Sequence, residues 1–178
     1  MIGEAPLWGD DKSYIYNPAT PMSQFFYKSD LEYVLNIQIN DKQGFIDQCN
    51  EIGLLIIDIS PFALNLDDTR INYQRKTREN PNGLASRQYL SLLAPTIPLF
   101  LEEKIKVIRP KCPGSINVFY RYSRVKKHLN AQIADVLTRH NLINHSTDIS
   151  DICKQGGGID RIKFKQIVKL DNNLLAFI

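Results

Sequence analysis

A three-layer α/β/α sandwich around a short, largely parallel central sheet is the fold class that this sequence of 178 residues predicts. Three observations predict it. Short apolar runs rich in β-branched residues have the pattern of strands buried on both faces. They alternate with segments whose apolar residues recur at helical spacing, the order expected of an α/β domain. Hydrophobic residues make up 43% and charged residues 23%, the balance of a chain that folds around a core rather than staying disordered. One domain over 1–178 buries enough surface at this length to need neither disulfide nor metal staples.

The elements follow in chain order. Met1 and Ile2 run directly into Gly3-Glu4-Ala5-Pro6, which leaves no room for a full strand before that turn, and native residues preceding Met1 are compatible with such a start. Residues 7–28 carry Pro18, Pro21 and several aromatics without a period and predict a long structured loop. Ser29-Asp30-Leu31-Glu32 fits a capping box and predicts a helix from Asp30. A second helix is expected from Asp41 to Glu51, with Gly53 as its stop. Leu54 to Ile59 is the clearest strand, ended by Pro61. Asp67 to Gly83 is polar, basic and turn-rich, either a surface loop or a frayed helix. Leu84 to Leu101 is helical in pattern, but Pro95 and Pro98 predict a kink or a second short helix. Ser115 to Tyr122 alternates as a strand, and Val125 to His140 has helical spacing. A short strand is expected at Ile143, and a last helix over Ile159 to Leu170 would line one face with Ile159, Ile162, Ile167 and Leu170.

Cys49, Cys112 and Cys153 stand far apart with no CxxC spacing, so neither a disulfide framework nor a thiolate metal site is indicated, and no metal or cofactor is expected. His128 and His140 are several helical turns apart and cannot chelate one ion from that helix. The longest nearly apolar stretch, Gly53 to Leu64, contains Asp58 and Pro61 and is too short to span a bilayer. No charged-then-apolar leader opens the chain. The expectation is a cytoplasmic monomer with no membrane partner. A net charge of +3 permits a polyanionic partner without demanding one.

Gly3-Glu4-Ala5-Pro6 is the constellation with most chemical content. In a parallel sheet, ligands sit beyond the carboxyl ends of the strands. A glycine at that corner lets backbone approach a ligand, and a carboxylate just after it can hold a water. With this turn the chain resembles the uracil-DNA glycosylase superfamily, several branches of which carry Gly-Glu-Ala-Pro at the end of the first strand. The resemblance implies a hydrolase that cleaves the N-glycosidic bond of a deaminated or related base in single- or double-stranded DNA. It also implies roles. Glu4 would orient water, Gly3, Ala5 and Pro6 would shape the corner, and Phe25 or Phe26 would stack on an extruded base. Asp58 stands where the family often has an asparagine that reads the base edge, and an aspartate only accepts unless protonated. His145-Ser146 is the nearest match to the family's His-Pro-Ser loop, with the proline absent; it implies His145 beside the leaving group and Ser146 as a substrate contact. The glycine run Gly156 to Gly158 resembles the region after that loop, where backbone amides meet phosphate.

The same residues admit plainer readings. Glu4 on a surface turn, Phe25 and Phe26 packed under their loop, and His145-Ser146 on a polar surface are each compatible with the sequence. Arg70, Arg75, Lys76, Arg78 and Arg87 form one basic cluster and Arg121, Arg124, Lys126 and Lys127 another, with Tyr73, Tyr120 and Tyr122 among them. On one face they would neutralise phosphate; apart, they are two solvated patches. A non-catalytic nucleic-acid or nucleotide-binding module and a protein-interaction domain therefore stand beside the glycosylase reading.

Overall fold

The computed structural model describes residues 1–4, 28–61, 73, 75–112, 114, 116–154 and 159–169. The loop expected at 7–28 lies, apart from Lys28, outside the described residues, as do Arg70, Gly156 to Gly158 and Leu170.

Four short strands make one sheet, β1 (Ile2–Gly3), β2 (Ile57–Asp58), β3 (Phe119–Tyr120) and β4 (Ser150–Asp151), in the order β2-β1-β3-β4. All three pairings are parallel, with Ile2 opposite Ile57 and Tyr120, and Gly3 opposite Asp58. The helices are α1 (Lys28–Leu35), α2 (Lys42–Glu51), α3 (Ser86–Leu93), α4 (Glu102–Ile108), α5 (Ser123–Arg139) and α6 (Arg161–Lys169). The expected three-layer α/β/α arrangement is what the chain adopts. Ile2, Ile59, Val118 and Tyr120 pack with Tyr89 and Leu93 of α3, Ile105 of α4 and the apolar face of α5. Met1, Ile56, Phe119 and Ile152 pack on the other face with α1, α2 and Phe164 of α6. Alternate residues along each strand thus feed two separate cores, as period-two geometry requires. Each fully buried apolar side chain contributes about 1.5–3 kcal/mol to that packing.

The connection from β1 to β2 carries α1 and α2 on one face, whereas those from β2 to β3 and β3 to β4 carry α3, α4 and α5 on the opposite face. The two sets travel in opposite directions across the sheet, so a single crossover handedness puts them on opposite sides. Their point of divergence, between β1 and β3, is the topological switch point where such sheets place ligands.

Several local expectations shift. The first helix spans Lys28–Leu35, which puts Ser29 inside it rather than at its cap, and Glu32 accepts from Lys28 Nζ at 2.7 Å and from the Ile39 amide at 2.8 Å. Asp41 does cap α2, accepting from the Gly44 amide at 2.7 Å, and Gly53 follows its end with φ +65°. The Leu54 to Ile59 run supplies an edge strand rather than one shielded on every side, and Leu55 is 42% exposed. Pro95 and Pro98 break the next helical segment as expected: α3 ends at Leu93, a π-helical turn spans Ile97–Leu101, and α4 continues to Ile108. Glu102 ties α4 to the end of α5, accepting from Arg139 Nη1 at 2.7 Å and sharing a 3.0 Å hydrogen bond with His140 Nε2. The fourth strand is at Ser150–Asp151, not at Ile143, whose side chain packs in the core. In α6, Phe164 rather than Ile162 is the anchor, and Ile162 is 68% exposed.

Candidate functional site at the carboxyl edge of the sheet

β1 and β2 end side by side, and this pairing decides where the chemistry lies. Gly3 stands in register with Asp58, and a β-carbon at position 3 would collide with Asp58 Oδ1. Only glycine lets the Asp58 carboxyl lie against the end of β1. Glu4 follows directly, its carbonyl accepting from the Ser60 amide at 3.0 Å, which binds the two strand ends together past the last ladder pair. The two carboxyls approach that end from different sides, Asp58 across Gly3 and Glu4 towards α3 and α5, where Oε1 accepts from the Tyr89 hydroxyl.

Both carboxyls are half-buried, and both hold protons more tightly than usual. Burial raises Glu4 most; the Tyr89 hydrogen bond and the Arg124 charge oppose the rise, and the Asp58 charge adds to it. Burial also pushes Asp58 up to about 6, against a smaller opposing pull from Lys104. A carboxyl whose proton affinity is raised by burial is suited to proton transfer, and two such groups at one strand end make this corner the best candidate for acid–base work.

Asp58 gives a pH test that needs no substrate. Its native proton affinity lies above the ordinary 3.8, so its stabilising contribution is complete below that pH and is lost as pH rises to about 6. Asp58→Asn removes the penalty. The variant should gain roughly 1–3 kcal/mol on the wild type between pH 4 and pH 7. Urea melts at the two pH values check this, and an unchanged difference would mean Asp58 titrates normally.

Above the corner lie Tyr73 and a strap formed by residues 75–84. Arg75 bridges Leu84, and the Lys76 amide donates to the Leu84 carbonyl at 3.1 Å. Arg124, in the first turn of α5, donates from Nη1 to the Tyr73 carbonyl at 2.5 Å and from Nη2 to the Leu84 carbonyl at 2.8 Å. Tyr73 and Ser60 share a buried 3.0 Å hydrogen bond between their hydroxyls. The strap is therefore pinned to α5, and Tyr73 to Ser60 just past the end of β2. Its Arg75, Lys76 and Arg78 are exposed, and of the second basic cluster Arg124 holds the strap while Lys126 pairs with Asp151 of β4 at 3.1 Å.

The structure brings Gly3, Glu4 and Asp58 together, and Ala5, Pro6, Phe25 and Phe26 lie outside the described residues. It does not bring His145 or Ser146 to them. These two precede β4, next to the Asn141 to Asn144 turn that follows α5, with Asp148 Oδ2 accepting from the His145 amide at 2.8 Å. In an all-parallel sheet a residue before a strand lies at the amino edge, and Glu4, after β1, lies at the carboxyl edge. The expected place of His145 at the leaving group is corrected accordingly. Sequence reasoning missed Tyr89 and treated Arg124 only as one of several charges. Tyr89 sits 85 residues from Glu4 on the buried face of a helix, where an aromatic gives no sign of a polar partner.

An apolar groove of about 490 Å³ runs along the outer side of β2 between Leu55, Ile57, Phe100 and Val107. Its lining is mostly apolar, with Glu103 and Lys104 as its charged members, and the Lys104 charge reaches Asp58. Among the described residues no cluster of three or more histidine, cysteine or carboxylate side chains could hold a metal, and no helix is long and apolar enough to cross a membrane. No protein-family model, curated protein or solved structure matches the chain.

Proposed function

We propose that the chain is a base-excision hydrolase of the uracil-DNA glycosylase type, acting on a deaminated or related base in DNA. The observation that carries the proposal is the carboxyl-edge corner, where a close-packed glycine, a half-buried glutamate and a half-buried aspartate meet beside the switch point. In the proposed reaction ionised Glu4 takes a proton from water, and the water oxygen bonds to the sugar C1′. The bond from C1′ to the base nitrogen breaks, its electron pair leaving with the base, which takes one proton from solvent, and Glu4 returns to solvent the proton it took. Asp58 reads the base edge, accepting when ionised and also donating when protonated. Release of free base from single- and double-stranded oligonucleotides containing uracil, hypoxanthine or xanthine tests this directly. No release from any of them overturns it.

The exposed basic residues of the strap support DNA as the polymer. Replacing Arg75, Lys76 and Arg78 together by alanine should weaken DNA binding and flatten its salt dependence by about 0.7–0.9 in log–log slope for every phosphate these side chains neutralise. Fluorescence anisotropy between 50 and 200 mM salt, roughly the range in which phosphate neutralisation dominates, measures it. An unchanged slope would remove the strap from the interface. The distance of His145 from Glu4 favours a second reading, a nucleic-acid-binding module without chemistry, for which salt-dependent binding without base release is the signature.

A further inference from the structure

We infer that Tyr89 is the positioning residue of Glu4 and that Arg124 holds Tyr89 in place, so that a three-residue relay from α5 through α3 orients the carboxylate at the end of β1. This rests on the reading of Glu4 as the group that activates water. Tyr89 is 0% exposed, its ring lies 3.9 Å from the Arg124 guanidinium carbon, and the His128 ring stands beside it at 5.8 Å with a tilt of 56°. A ring held from two sides has one place to put its hydroxyl, and that hydroxyl donates to Glu4 Oε1. Burial and the adjoining Glu4 charge hold the phenol far above its ordinary value, so it stays a donor.

The arrangement divides the work of the carboxylate between its two oxygens. Oε1 is committed to Tyr89, which fixes the rotamer and leaves Oε2 as the atom for a water or substrate. Arg124 cannot swing in to neutralise Glu4 directly, because both its terminal nitrogens are engaged by the Tyr73 and Leu84 carbonyls. Its charge therefore acts at a fixed distance. Among the described residues the groups facing Glu4 are Asp58 from β2, Tyr89 from α3 and Arg124 from α5, with Tyr73 also within reach of its charge. Of these, Tyr89 and Arg124 favour the ionised carboxylate and Asp58 opposes it.

Tyr89→Phe removes the donor and keeps the ring. With glutamate carboxyl carbons labelled with ¹³C and the Glu4 signal assigned by its absence in Glu4→Gln, NMR titration of the full chain should show Glu4 losing its proton at higher pH in the variant. The acid limb of base release should move up by the same amount, and kcat should fall about ten- to hundredfold with KM little changed, as for loss of a hydrogen bond to a charged group. A purely structural tyrosine would leave the Glu4 titration where it is. That result in a folded variant overturns the inference. Should Tyr89→Phe not fold, Arg124→Gln, which removes the charge above the ring, must still raise the Glu4 titration, and an unmoved signal there also overturns it. A shifted titration without base release from any protein would sink the glycosylase proposal alone and leave the relay standing.

Discussion

Glu4→Gln is expected to lower base release by about 10²–10⁴-fold, the usual contribution of a positioned general base. The substitution isolates chemistry from architecture. Glutamine keeps the carbonyl oxygen that accepts from Tyr89, so the relay from Arg124 has its partner, and it keeps the backbone tie from Ser60 to residue 4. What disappears is the capacity to take a proton. The variant also loses a carboxylate whose burial is its main perturbation, so its stability should equal or exceed that of the wild type. Single-turnover release from a uracil-containing oligonucleotide, measured beside a thermal melt, reads both. Undiminished release from a folded Glu4→Gln protein would show that another group activates the water.

Gly3→Ala should have the largest structural effect of any one-carbon change at the site. The added β-carbon meets Asp58 Oδ1 and comes within 3.4 Å of its Cγ. Asp58 is short and half-buried at the end of a strand, so relief requires either its rotation away from the corner or a shift of β1 against β2. Overpacking of this kind costs about 1–3 kcal/mol. A fall in melting temperature of roughly 2–4 °C per kcal/mol is expected for a chain of this length. The double variant Gly3→Ala/Asp58→Ala removes the clash and should recover most of the loss, a coupling of about 0.5–3 kcal/mol in the cycle. Additive losses would mean that the corner does not depend on this approach. Activity should remain low in the double variant, since the aspartate proposed to read the base is gone.

Legibility in the sequence followed the range over which each feature is determined. The helix expected from Asp41 to Glu51, Gly53 as its stop, the breaks at Pro95 and Pro98 and the helix after Phe119-Tyr120 are each decided within a few residues, and the structure has all of them. The strand expected at Ile143 fails for the same reason. An apolar residue after a helix packs equally well as a core plug, and the backbone pairing at Ser150–Asp151 comes from the neighbouring β3 rather than from local pattern.

The sequence by itself determined the α/β class, because strand and helix periods are written into consecutive residues; it marked Gly3 and Glu4 as a turn after an apolar residue, and Asp58 only through the resemblance that this turn carries. Only the tertiary structure decided which of these meet. Strand order and direction put Glu4 and Asp58 at one edge and His145 at the other, and packing of α3 against α5 delivered Tyr89 and Arg124 to Glu4. Contacts spanning tens of residues depend on how the sheet closes the chain on itself, and no local spacing carries that information.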